Sequence, residues 1–240
     1  MLSVSTTHLA DLNPLFISTK LILIGELHGS AQNAPLIQEL LIILLEHVEQ
    51  VTIAFEWSLT PAEHTALRAY VRGGPVPTPL PTFFADSDGR FTPEHAELLS
   101  WIHRTNRARE NRVDLYCFDN AKSDQNAEQE LATSLISYRH TQPDATILVE
   151  TGNFHARKEP TSTRPSLATL LATYEPVSTI FIRYLSGKIM VEGRARNVTD
   201  AASQRDDVSK AFDAVIEIPR SDPAPDPVNL TTIKILLEQN

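Results

Sequence analysis

The sequence predicts an α/β fold: a mainly parallel central sheet flanked by helices, with an antiparallel hairpin at one edge and a helical insertion after the second strand. Three observations predict it. Apolar runs of strand length recur at 21–24, 52–55, 113–118, 146–149, 179–184 and 214–218. Most are continuous in Ile, Val and Leu rather than alternating, the pattern of strands covered on both faces. Helical periodicity lies between several of them, and that alternation builds βαβ units.

Each element has its own signal. The segment 35–48 carries Leu36, Ile37, Leu40, Leu41, Leu44 and Leu45 as a broad stripe of helical period. Thr60-Pro61-Ala62-Glu63 is a capping box with proline at the first helical position, and Gly73-Gly74 should end that helix. Prolines at 75, 77, 79 and 81 then impose an extended surface segment. Thr92-Pro93-Glu94 opens a second helix bearing Leu98, Leu99 and Ile102. The insertion 60–112 is long enough to cover a site as a lid; alternatively it only shields one sheet face. The stretch 124–140 is amphipathic, with Leu131, Leu135 and Ile136 inward. Residues 185–188 read as a hairpin turn joining 180–184 to 189–191. A Pro/Asp loop at 219–229 and a short helix at 230–237 close the chain. At 240 residues this is a single domain, 1–240.

Composition excludes several function classes. Against 30 acidic residues there are 21 Lys and Arg, a net charge of −9. No basic surplus exists to neutralise phosphates, so a nucleic-acid partner is not expected. The single cysteine, Cys117, rules out an intrachain disulfide and any site needing two thiolates; between Tyr116 and Phe118 it reads as a core thiol. The apolar run at 40–45 is too short for a membrane span. The N-terminal residues lack a basic region followed by an apolar one, so no secretory signal is expected and a cytoplasmic compartment is.

In an open parallel sheet, ligands bind beyond the carboxyl ends of the strands. The polar residues that follow the apolar runs are therefore the candidates. Gly25-Glu26-Leu27-His28 follows the first run, Glu56 the second, Asp119-Asn120 the third, and Glu150-Thr151-Gly152-Asn153-Phe154-His155 the fourth; Arg183 and Tyr184 end the fifth. Two of these stretches share the form Gly-x-x-His. Two imidazoles and one or two carboxylates can hold Zn²⁺, Mn²⁺ or a similar divalent ion through His28, His155, Glu26 and Glu56. The same four can also act without metal, one histidine taking a proton from water while a carboxylate orients it. In that version His28 is the base and Glu56 its orienting group. Glu56 sits in an apolar segment and so needs a partner. Asp119, Arg183 and Tyr184 are candidate substrate-binding groups. Arg183 would recognise an anion or neutralise Glu56, and Asp119 could equally cap a turn. His8, His47, His64, His95, His103 and His140 have no matching partners and read as surface residues. Asp86-Ser87-Asp88-Gly89 departs from a calcium loop in its early glycine and missing third acid, and reads as a turn. Sequences for a nucleophile elbow, a HExxH helix, a dinucleotide fingerprint or a Walker A loop are absent.

The blocks LIGELHGSAQN, AFEW and VETGNFHARK, with weaker similarity in DAVIEIP, resemble the superfamily that joins erythromycin esterases, ChaN-like haem-binding lipoproteins and TIKI-type metalloproteases. The resemblance spans about 21–155 and implies a parallel-sheet α/β core. It implies site residues Glu26 and His28 from the first motif, Glu56 from the second strand end and His155 from the second Gly-x-x-His. The implied activity is hydrolysis of an ester or amide by an activated water, with a small-molecule substrate. The other implied function is haem or small-ligand binding without turnover, with His155, Tyr184 or Tyr138 as axial ligand.

Overall fold

Leu21 to Glu26 form a strand in which every residue is buried. Successive side chains of a strand point to opposite faces. Leu21 and Leu23 accordingly enter one apolar layer and Ile22 and Ile24 the other. A strand with that pattern needs helices on both sides, and the computed structural model supplies them. It describes residues 1–85, 87–109, 112–119, 126–159, 164–191, 193–201, 210–225 and 228–239. Asp86, Asn120, the start of the 124–140 stretch and 226–227 of the Pro/Asp loop lie outside the described residues.

The strands are β1 (Leu2–Ser5), β2 (Leu21–Glu26), β3 (Val51–Phe55), β4 (Val113–Cys117), β5 (Thr146–Gly152), β6 (Val177–Tyr184), β7 (Lys188–Val191), β8 (Arg194–Asn197) and β9 (Ala214–Ile218). Seven form one sheet in the order β1-β9-β6-β2-β5-β3-β4, every pairing parallel. Five helices cover one face: α1 (Asn13–Ser18), α2 (Asn33–His47), α3 (Pro61–Val71), α4 (Pro93–Arg109) and the terminal α7 (Leu230–Glu238). Two cover the other, α5 (Ala127–Thr141) and α6 (Leu167–Ala172). The α/β class is as the sequence predicts.

Three local details differ from expectation, each for a physical reason. The turn at 185–188 does not fold the chain back on β6. Both edges of β6 are already taken, by β2 and β9, so 188–191 pairs instead with β8 as a separate antiparallel hairpin. The strand β1 has no apolar run to announce it, because it is a four-residue edge strand burying only Val4. His95 and His103 are buried rather than on the surface. The ring of His103 stacks on Tyr70 and its Nδ1 bonds the Tyr70 carbonyl at 2.7 Å.

The insertion begins as its sequence signals dictate. Thr60 Oγ1 accepts the Glu63 N–H at 3.2 Å, and Glu63 Oε2 accepts the Thr60 N–H at 2.9 Å. Its helices α3 and α4 add Leu67, Val71, Leu99 and Ile102 to the core beside β3 and β4. Trp57, just past β3, stacks on Phe55 at 4.0 Å and meets the edges of Phe84 and Phe91 at 5.9 and 5.3 Å. This aromatic cluster fixes the middle of the insertion against the carboxyl end of β3.

A second anchor lies at Gly29, where three other chain segments meet its own. Its N–H donates to the Gly89 carbonyl at 3.0 Å, and its carbonyl accepts from the N–H groups of Met190 and Ala224 at 3.0 and 2.9 Å. Its φ is +82°, and a Cβ there would lie 1.9 Å from the Met190 oxygen. Gly29→Ala is therefore expected to cost more than about 2 kcal/mol, combining left-handed strain with a main-chain clash. Urea unfolding reads this as a lowered midpoint, and a wild-type midpoint would contradict the crossing.

Candidate active site

The site grows from the carboxyl ends of three neighbouring strands. In register, Glu26 of β2 lies beside Gly152 of β5, and Glu150 of β5 beside Phe55 of β3. Parallel pairing thus collects the residues that follow each strand at one edge. The connections that leave β2 and β5 run in opposite directions across the sheet, to β3 and to β6. That is the crevice position expected of ligand sites in such folds.

Glu26 is 4% exposed. A carboxylate so buried is costly unless hydrogen-bonded on both oxygens. Its Oε1 bonds His28 Nδ1, and its Oε2 accepts from Asn33 Nδ2. The orientation of the Asn33 amide is fixed, because Nδ2 also donates to the Leu27 carbonyl at 3.0 Å, a group that can only accept. The Asn33 Oδ1 in turn accepts from the Tyr184 hydroxyl. Burial pushes that hydroxyl well up, so it stays a donor. The result is a directed chain, Tyr184 to Asn33 to Glu26, ending on His28. Burial opposes charge on both members of the Glu26–His28 pair: it pushes the Glu26 carboxyl up and disfavours the imidazolium. The Glu26 carboxylate outweighs this at His28 and raises the ring to about 9. The pair therefore holds one proton between them at neutral pH.

His155 is organised the same way from a different partner. Its Nδ1 bonds Glu128 Oε1, from the first turn of α5, at 2.7 Å. Its Nε2 lies 3.6 Å from Glu56 Oε1. Burial works against the charged ring, but Glu128 and then Glu56 hold it above the usual histidine range. The two rings meet over Gly152: a Cβ there would lie 3.4 Å from His28 Nε2 and 3.4 Å from His155 Cδ2. Glycine at this position leaves room for both imidazoles on one spot of backbone. The earlier glycine of the pair, Gly25, lets β2 run against Asn153, where a Cβ would come within 3.0 Å of Oδ1.

Glu56 faces both rings. Its Oε2 accepts from Thr151 Oγ1 and from the Gly152 N–H at 3.0 Å. Burial pushes its carboxyl up, but His155, His28 and these hydrogen bonds together hold it below the usual range. It stays ionised and is not positioned as the orienting group of His28, a place taken by Glu26. Beneath them lies a third pair. His95 Nδ1 accepts from the Thr92 N–H at 3.1 Å, which leaves the ring proton on Nε2, 3.3 Å from both oxygens of Glu150. Glu26, His28, Glu56, Glu150, Thr151, Phe55, Trp57 and Arg90 enclose a cavity of about 10 Å³, the size of one water. A wider groove of about 540 Å³ between α2 and α4, lined by Ile42, Leu45, Trp101 and Arg104, holds none of these groups.

The structure brings together Glu26, His28, Glu56 and His155. Asp119 is joined to them through Arg90, whose Nη1 lies 3.0 Å from its Oδ2. Tyr184 is buried behind Asn33 and supports Glu26 instead of facing a substrate. Arg183 is not part of the cluster. It lies 3.7 Å from Glu217 on β9 and over the Phe181 ring, on the side of β6 away from β2. The cation beside Glu56 is Arg90, at 3.5 Å, from the insertion. Tyr138 is remote, with its hydroxyl on Thr52 and Asp114. Among the described residues, no group of three or more His, Cys, Asp or Glu side chains is arranged to hold a metal ion. Each Nδ1 of the two site histidines is bonded to a carboxylate, which leaves each Nε2 as the nitrogen turned toward the shared site. Asn33, Arg90, His95 and Glu128 escape the sequence reading: Asn33 ends the LIGELHGSAQN block without a strand-end position, and the other three lie in none of the quoted blocks. Cys117 is buried, and burial pushes its thiol up, as a core thiol requires.

No protein-family model matches the chain, and no curated protein matches it. Solved structures do. An erythromycin esterase, EreC, a histidine-to-asparagine mutant in its open conformation, aligns with a TM-score of 0.68 at 12% identity, over 92% of this chain and 95% of that one. The chain shares the erythromycin esterase fold. A succinoglycan biosynthesis protein aligns with a TM-score of 0.70 at 12% identity, covering 90% and 92%. A protein from Bacillus cereus aligns with a TM-score of 0.58 at 12% identity, covering 93% and 95%. Among the described residues, no helix is long and apolar enough to cross a membrane.

The electrostatics of the first pair are directly testable. Glu26→Gln removes the charge that favours imidazolium while keeping an acceptor for Nδ1. The His28 titration is expected to fall from about 9 toward or below the ordinary histidine value, followed by ring-proton NMR. A midpoint unmoved by the substitution would contradict the pairing.

Proposed function

We propose that this protein is a hydrolase that activates water to cleave an ester or amide at the Glu26, His28, Glu56 and His155 cluster. The observation that carries the reading is the meeting of two carboxylate-bound histidines over Gly152. Each histidine has its Nδ1 fixed by a glutamate, so each presents Nε2 for proton transfer. The shared fold with an erythromycin esterase supports the same reading.

The two rings take different roles. His28, backed by the Tyr184–Asn33–Glu26 chain, accepts the proton from the attacking water. His155, held toward its charged form by Glu128 and Glu56, donates a proton to the leaving group. Glu56 remains anionic and stabilises the positive charge that alternates between the rings. The cavity beneath them is too small for an acyl group, so the scissile carbonyl sits above it, against the two Nε2 atoms.

Screening wild type and His28→Ala against chromogenic esters and amides tests this reading. Wild type is expected to turn over at least one, and His28→Ala to lose at least about 10²-fold in kcat/KM, the contribution of a general base. Only neutral imidazole accepts a proton, and His28 titrates at about 9. His155 must carry its proton in the same turnover, so the wild-type kcat/KM should be bell-shaped in pH, one limb set by His28 near 9 and the other by His155, with about 1% of the base neutral at pH 7. Activity that is indifferent to His28→Ala, or flat from pH 6 to 10, would contradict the assignment.

A further inference from the structure

The insertion brings one cation to the site, and it is held unusually well. The Arg90 carbonyl accepts the Trp57 indole N–H at 2.9 Å, and its N–H donates to the Ser87 carbonyl at 3.0 Å. Along the side chain, Nε is 3.4 Å from the same carbonyl, and the guanidinium carbon is 5.6 Å from the Phe83 ring centre. Nη1 serves both carboxylates, Asp119 at 3.0 Å and Glu56 at 3.5 Å. Among the described residues, nothing engages Nη2. The side chain is 25% exposed and lines the same cavity as His28. A guanidinium held by these contacts thus has one arm without a partner among the described residues, on the wall of the cavity that His28 also lines.

We infer that Arg90 is a further catalytic residue, whose Nη2 receives the carbonyl oxygen of an uncharged acyl substrate and stabilises it as negative charge develops there. This rests on the hydrolase reading above. The water oxygen bonds to the carbonyl carbon, one water proton passes to His28 Nε2, and the C=O π pair moves onto the oxygen beside Nη2. When that pair returns, the bond to the leaving oxygen or nitrogen breaks and His155 supplies its proton. Solvent exchange then resets both rings. A donor fixed in advance where charge appears acts on the transition state and costs no reorganisation. The alternative, recognition of a substrate carboxylate, is disfavoured by charge: Glu56 and Asp119 already neutralise Arg90, and an entering anion would be the third. The neutral carbonyl meets no such repulsion in its ground state.

The test compares wild type with Arg90→Gln and Arg90→Lys on an uncharged ester that wild type cleaves. It also compares them on a carboxylate-bearing analogue and with a phosphonate mimic of the tetrahedral intermediate. Arg90→Gln is expected to lower kcat about 10²-fold, to change KM less than about threefold and to weaken phosphonate binding by a similar factor to kcat. The unfolding midpoint should stay near wild type, because Trp57 is bonded to the main chain of Arg90 and keeps its partner. Unchanged kcat and phosphonate affinity would overturn the inference. So would a loss confined to KM for the carboxylate-bearing ester, which marks ground-state anion binding. Full activity in Arg90→Gln with a dead His28→Ala overturns this inference alone, whereas a wild type inert on every ester and amide overturns the hydrolase reading and this one together.

Discussion

A carboxylate buried at the end of a central strand is the constraint around which this molecule is organised. Glu26 ends β2 with neighbours on both sides, where solvent cannot screen it. An unpaired charge there would cost several kcal/mol. The fold answers with three groups drawn from three elements: His28 from the following turn, Asn33 from the start of α2 and Tyr184 from the end of β6. The stabilisation and the chemistry have one origin. The proton that offsets the buried charge resides on a ring whose other nitrogen faces the cavity.

The same solution is used three times within one small volume. Glu26 holds His28, Glu128 holds His155 and Glu150 holds His95. The first two pairs converge at Gly152, while the third lies buried beneath and ties α4 to β5. Glu56 stands between the first two with its own hydrogen bonds from Thr151 and Gly152. The insertion after β3 is therefore more than a cover. It closes the core through Trp57 and its aromatic neighbours, and the same docking delivers Arg90 and His95 to the strand ends. Removing it would open the hydrophobic layer and strip the site of its cation together.

Much of this was legible before any coordinates. Parallel strands read as continuous apolar runs, and parallel pairing gathers the polar residues just beyond them, so the meeting of Glu26, His28, Glu56 and His155 follows from the pattern. What could not be read was pairing across long separations. His95 looks like any histidine near a helix start, and only the docking of α4 places it against Glu150. Arg183 was the plausible neighbour of Glu56 because it ends a strand. Strand register sends it to Glu217, and Arg90 arrives from a loop with no strand-end signal. The hairpin misplacement has the same origin: a turn is a local signal, but whether β6 has a free edge depends on β2 and β9.

The central claim is that His28 and His155 serve one reacting centre. A double-mutant cycle in kcat/KM over wild type, His28→Ala, His155→Ala and the combined variant measures it most directly. Groups acting on the same transition state are strongly non-additive. The double variant should then lose about as much as the more damaged single variant. Losses that multiply, or a fully active His155→Ala, would mean that the two histidines do not share a reaction, and the account would fail.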